Sequence, residues 1–200
     1  MPTIAVADYS VGNIFSMISA IRRLGLDVEL TGDPRRLSSA DGLVLPGDGN
    51  FGAAAKSLEP IKQAIIETVS DGTPLLGSCL GMQLLFERSE EAPGAGLALL
   101  KGYIRRFPED LKVPHMGWNT VNSKGDCQLL DGIEGQYFYF VHSFYPEPVD
   151  PADSAATTGY GVEFTSVVQR GNVYGTQFHP EKSGQAGATL LANYARLLRR

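Results

Sequence analysis

The chain has 200 residues with a net charge of −5, 43% hydrophobic and 20% charged residues. That length suits one domain spanning 1–200, burying roughly 70% of its unfolded surface without staples. The acidic balance argues against a nucleic-acid partner, the two cysteines give neither a disulfide framework nor a zinc spacing, and no apolar run nears the ~18 residues of a membrane span.

The first half alternates between strand and helix patterns. "TIAVADY" (3–9) is a buried-strand pattern, and "NIFSMISAIRRLG" (13–25) follows with Ile14, Ile18 and Ile21 at helical spacing. "LDVELT" (26–31) and "DGLVLPG" (41–47) are the next strands. "FGAAAKSLEPIKQAIIETVSDG" (51–72) is helical, with Phe51, Ala55, Leu58, Ile61, Ile65 and Val69 on one face and a break or kink expected at Pro60. "TPLLGS" (73–78) is a fourth strand, and "LGMQLLFER" (80–88) begins another helix. Such alternation predicts a parallel sheet covered by helices, with sites at the carboxyl ends of its strands. "DYSVGN", "PGDGN" and "GSCLG" stand at those ends.

After the polar loop "SEEAPGAGL" (89–97) the pattern changes to short strands: "LLKGYIRRF", "GWNTV", "QYFYFVHSFY", "SAATTGY", "VEFTSVVQ" and "NVYGTQF". These predict an antiparallel or mixed extension of the parallel core. "GATLLANYARLLRR" (187–200) closes the chain as an amphipathic helix whose basic end suits the helix dipole.

Glycines two residues either side of Cys79 mark a tight strand-to-helix turn that would hold the thiol out. The Leu80 N–H, at the helix start, would then face a developing oxyanion. On this motif alone, a core cysteine in a Gly-rich turn is an equal reading. A nucleophilic thiol needs a base, and the chain offers His115, His142 and His179. His179 stands in "FHPEK": the proline biases it to extended backbone, where His179 and Glu181 share a face and the carboxylate can orient the imidazole. "LPGDGNFG" (45–52) lacks the spacing and lysine of a phosphate loop; it offers either a backbone oxyanion donor or a plain turn with Asn50 capping the next helix. Cys127, in "KGDCQLLDG", reads as an incidental loop or surface cysteine.

Together, "GSCLGMQ", "FHPE" and "PGDG" resemble the class I (triad) glutamine amidotransferases over essentially the whole chain. Within that class, "VPHMGWNTV", "YFYFVHSFY" and "SEEAPGAGL" are similar to the glutaminase subunits of imidazole glycerol phosphate synthases. The resemblance implies an α/β fold: a three-layer open sheet, mostly parallel with an antiparallel extension, on a flavodoxin-like core. It implies Cys79 as nucleophile, His179 as base and Glu181 as its holder, with Leu80 and the Asp48 segment at the oxyanion. Gly47, Gly49, Gln83, His142, Ser143 and Phe144 would hold glutamine. Tyr139, Lys182, His115, Met116, Trp118 and Asn119 would face a cyclase partner, a (β/α)₈ barrel on a separate chain in a cytoplasmic heterodimer that receives the ammonia. No cofactor or metal is implied. Another ammonia-channelling glutaminase, such as that of pyridoxal phosphate synthesis, would carry "PGGES"-like and "TCAG" stretches that are missing here; a non-catalytic docking module would not need the triad. Asp48 stands where the family usually has Val, Ser10 where glycine is commoner and Ser78 where an aliphatic residue is usual. The Asp48 carboxylate is expected to point away from the oxyanion, whose charge it would oppose.

Overall fold

The computed structural model describes residues 2–9 and 14–198; Ser10 and the rest of the "SVGN" loop, and the final Arg199–Arg200, lie outside them. In chain order the elements are β1 (Thr3–Ala7), α1 (Ile14–Arg22), β2 (Asp27–Thr31), α2 (Pro34–Ser39), β3 (Gly42–Leu45), α3 (Phe51–Ser70), β4 (Leu75–Ser78) and α4 (Leu80–Gln83). Then come β5 (Arg88–Ser89), β6 (Gly102–Arg106), β7 (His115–Thr120), β8 (Asn122–Ser123), β9 (Tyr137–His142), β10 (Phe144–Pro148), β11 (Ser154–Tyr160), β12 (Val162–Arg170), β13 (Val173–Thr176) and α5 (Gly184–Arg196).

The main sheet has eight strands in the order β2-β1-β3-β4-β13-β12-β11-β8. Its first five strands are parallel and the last three antiparallel. The parallel part follows the flavodoxin-like order, so ligands belong at the carboxyl ends of its strands. Strand alternation divides the core between the two faces. Ile4, Val6, Val44, Leu76 and Tyr174 pack with α1, α5 and the aromatic residues of β9; Ala5, Leu43, Leu45, Leu75 and Val173 pack with α2, α3 and Leu80–Phe86. The Tyr194 hydroxyl donates to the carbonyls of Leu43 and Pro74, at 2.6 and 2.9 Å, and ties α5 to the sheet. Two smaller sheets, β10-β6-β5 and β7-β9, stand beside the carboxyl ends.

Three expectations needed revision. Helix α3 runs through Pro60 without a break. The helix expected over 80–88 is the single turn α4. Leu80, Met82, Leu84, Leu85 and Phe86 are all buried, so there is no polar face for a surface helix, and the carbonyls of Leu84, Leu85 and Phe86 accept from Leu97, Leu100 and Ala98 instead. "QYFYFVHSFY" is two strands in two different sheets, broken at Ser143. Helix α2 had a start signal that was passed over: Asp33 accepts from the Arg35 N–H and Pro34 stands at the first turn.

Candidate active site

The turn after β4 is tight enough to exclude side chains. A Cβ at Gly81 would lie 1.7 Å from the Leu45 carbonyl oxygen, and one at Gly77 2.7 Å from that of Gly81. Between them Cys79 takes φ 51°, ψ −110°, a conformation that a side chain disfavours. Parallel pairing of β13 with β4 sets Thr176 opposite Ser78, and the Cys79 N–H donates to the Thr176 carbonyl at 2.7 Å. The register therefore carries Gln177, Phe178 and His179 alongside Cys79.

His179 is 1% exposed, and its Nδ1 meets the Glu181 Oε1 at 2.8 Å. The sharing of a face expected from extended backbone arises differently: His179 itself is extended, but Pro180–Lys182 is a 3₁₀ turn that folds Glu181 back. Burial alone would lower the imidazole pKa. The Cys79 charge beside it, with help from Glu181, reverses this and raises it to about 10. His179 Nε2 has no partner at full hydrogen-bond geometry among the described residues. Free sites commonly leave this contact loose until substrate arrives.

A cleft of about 200 Å³ opens over Cys79, and Gly49, Leu80, Gln83, His142, Ser143 and Phe144 are among its lining residues. Gly47 lies behind this wall, its carbonyl accepting from the Leu80 N–H at 3.4 Å. Asp48 is exposed to solvent and is among the residues that line the cleft. Asn50 does cap α3, accepting from the Ala53 N–H. Two contributors escaped the sequence reading. Glu91, in what read as a plain polar loop, lines the cleft and accepts from the Phe51 N–H at 2.6 Å. Gln177, fully buried, directs its Nε2 at the Cys79 Sγ, 3.7 Å away. A larger open groove of about 540 Å³ lies near Lys124 and Pro151, with no imidazole along it. Cys127, at its edge, is 5% exposed rather than on the surface, and burial raises its thiol pKa.

The β7–β9 ribbon forms one wall and is two-faced. Met116 and Trp118 stand out at 63% and 55% exposure, with Tyr139 across from Trp118. His115, expected beside them, is instead 3% exposed on the inner face, stacked between Tyr160 and Phe140. Asn119 shares that inner face and is half-buried, as is Lys182 after the His179 turn.

Residues 5–196 match the family model described as glutamine amidotransferase class-I. The chain is 48% identical to the "Imidazole glycerol phosphate synthase subunit HisH" of Methanothermobacter thermautotrophicus, covering 98% of this chain and 99% of that one. It is 47% identical to the subunit of the same name in Moorella thermoacetica, over 100% and 97% of the two chains. Among solved structures, "PurLQS from Thermotoga maritima" superposes with a TM-score of 0.80 at 19% identity, covering 98% of each chain, and shares the fold. The chain belongs to the class I glutamine amidotransferases.

Proposed function

We infer that this chain is the glutaminase subunit of an imidazole glycerol phosphate synthase: it hydrolyses glutamine and passes ammonia to a cyclase subunit in histidine biosynthesis. The observation that carries the chemistry is a thiol held on a strained turn beside an imidazole that a buried carboxylate grips at 2.8 Å. Near-full-length identity of 46–48% to subunits of that name supports the pathway.

The reading assigns roles as follows. The Cys79 proton passes to His179 and the sulfur attacks the side-chain amide carbon of glutamine. His179, kept cationic by Glu181, gives that proton to the departing ammonia. Water then hydrolyses the thioester to glutamate. The Leu80 N–H would serve the oxyanion, but the Gly47 carbonyl occupies it at 3.4 Å. The Gly47–Asp48 peptide must therefore turn over before that donor is free, which would put a second N–H in the same place. Gln83, Glu91 and the His142–Phe144 segment would hold the amino-acid end of glutamine.

The partner is a cyclase with a (β/α)₈ barrel, assembled as a heterodimer. Met116, Trp118, Tyr139 and Lys182 would meet it, while His115 and Asn119 lie on the inner face of the ribbon. Exposed aromatic and methionine side chains on one ribbon face suit such contact. The two free thiols fit a reducing cytoplasm.

The test is to mix the chain with its cyclase and follow product formed with glutamine or with added ammonium salt. Cys79→Ala is expected to lose glutamine-driven synthesis by at least about 10³-fold and keep the ammonia-driven reaction. Unchanged glutamine-driven turnover would remove Cys79 from the chemistry.

A further inference from the structure

A run of buried polar groups links the inner face of the β7–β9 ribbon to the Cys79 sulfur, and its direction is fixed by backbone groups. The Phe144 carbonyl can only accept. It sits 2.7 Å from His142 Nδ1, so that nitrogen carries the proton. His142 Nε2 is then an acceptor, and His115 Nδ1, 3.0 Å away, must donate to it. That leaves His115 Nε2 as an acceptor for the Asn119 amide, at 3.3 Å. The orientation of Asn119 is fixed independently: its Nδ2 also donates to the Gly159 carbonyl at 3.0 Å, and its Oδ1 accepts from the Thr120 N–H at 2.8 Å. A second proton on either imidazole would put two donors face to face somewhere along this line.

The same Phe144 carbonyl sets the other half. Gln83 Nε2 donates to it at 3.2 Å and donates its second hydrogen to Gln177 Oε1 at 3.3 Å. With its oxygen taken, Gln177 presents its Nε2 hydrogens to the Cys79 Sγ at 3.7 Å. Turned over, the Gln177 amide would put oxygen against sulfur and leave Gln83 without its acceptor. Gln83, Gln177, His115 and His142 are each at most 6% exposed, so water does not readily replace a broken link.

We propose that Asn119, His115, His142, Gln83 and Gln177 form one hydrogen-bonded relay, its two arms meeting at the Phe144 carbonyl, that holds a side-chain N–H on the Cys79 sulfur, with Gln177 a further catalytic residue and the others positioning residues. The proposal rests on Cys79 being the nucleophile. An N–H on the sulfur favours the thiolate that attacks. The histidine arm lies on the ribbon that bears Met116 and Trp118, so a shift of that ribbon would move the Phe144 carbonyl on which Gln83 is anchored.

Two readouts test it on the full chain. Ring ¹⁵N shifts of the three histidines should show His115 and His142 as Nδ1–H tautomers at neutral pH, the reverse of the form free imidazole favours in water. An Nε2–H form at either overturns the direction. Separately, iodoacetamide labelling of Cys79 is followed by peptide mass, with buried Cys127 as internal reference. Gln177→Leu is expected to slow Cys79 labelling by about threefold to tenfold. Should that variant not fold, Asn119→Asp is nearly isosteric; its carboxylate should pull the His115 proton to Nε2 in the spectrum and slow labelling about twofold. Labelling at the wild-type rate in Gln177→Leu, or an unmoved tautomer in Asn119→Asp, ends the relay while leaving the nucleophile in place. If wild-type Cys79 reacts no faster than Cys127, the nucleophile and the relay fall together.

Discussion

All three histidines are buried, at 1%, 3% and 6% exposure for His179, His115 and His142, yet they sit in opposite electrostatic states. Burial disfavours the imidazolium at each. At His179 the neighbouring Cys79 and Glu181 charges reverse that and raise the pKa to about 10. At His115, among Phe107, Phe140, Tyr160 and Phe164, burial stands unopposed and lowers it to about 4. His142 falls to about 3, from burial first and then from its imidazole neighbours, despite the Phe144 carbonyl. Burial therefore does not choose the state of a histidine; the presence of a counter-charge does. The side of the cleft with Cys79 holds a charged imidazole, and the ribbon wall holds neutral ones.

The largest break in this contrast is Glu181→Gln. It keeps the size of the side chain and an acceptor oxygen but removes the charge, making His179 resemble the ribbon wall. Glutamine-driven kcat in the presence of the cyclase is expected to fall on the order of 10²- to 10⁴-fold, with ammonia-driven synthesis intact. A loss under about threefold would show that the carboxylate does not hold the catalytic proton.

A second test separates the two regions by pH. Folded His115 and His142 titrate near 4 and 3, below the ~6.5 of an unfolded histidine. As pH falls from about 6.5 towards 4 the unfolded chain takes up protons that the folded wall cannot. Stability should drop by about 1.4 kcal/mol per pH unit for each such proton. His179 has the opposite sign. Its folded pKa of about 10 gives a contribution complete below about 6.5 and lost as pH rises through 10. Urea unfolding across pH should show two limbs meeting near 6.5. Cys79→Ala removes a main cause of the His179 shift and should flatten the alkaline limb alone. His142→Phe should make the acid limb shallower, His115 keeping its share, and leave the alkaline limb unchanged. A single variant flattening both would mean the regions titrate as one.

The reactive side was legible because its signals are local. Gly77 and Gly81 bracket Cys79 within five residues, and His179, Pro180 and Glu181 are consecutive. The parallel core was legible because the short, continuously buried runs of β1, β3 and β4 and the 3.6-residue spacing in α3 are both strong. The wall was not. "YFYFVH" is apolar or aromatic on both faces, so a period of two could not say that Phe138, Phe140 and His142 are buried while Tyr137 stands out and Tyr139 and Val141 are half-buried. His115 was expected outward because the resemblance placed the whole 115–119 stretch towards the partner, whereas strand alternation turns it inward. Gln177 and Glu91 were not singled out, since each acts through a partner distant in sequence, 98 residues away at Cys79 for one and 40 away at Phe51 for the other. The shortness of α4 depended on carbonyls claimed by the 96–100 loop.

The smallest expected effect concerns backbone strain. Among the described residues, Cys79 and Ala98 are the non-glycine residues with positive φ. The wall also needs a positive φ, 132° at position 117, but fills it with Gly117, where nothing lies within 4 Å of an added Cβ. The elbow cannot use that solution because glycine carries no thiol. Cys79 therefore holds strain of about 1–3 kcal/mol, offset in part by the roughly 0.5–1 kcal/mol of extra unfolded-state freedom that a glycine would bring. Two inactive variants isolate the difference. Cys79→Gly should be more stable than Cys79→Ala by about 1 kcal/mol in urea unfolding at pH 7, although it removes more buried surface. If the alanine variant is the more stable, the turn is relaxed, and the position of the sulfur owes nothing to stored strain. If glycine wins, the turn gives up stability to hold the thiol over the cleft, whereas the wall meets its own turn at no such cost.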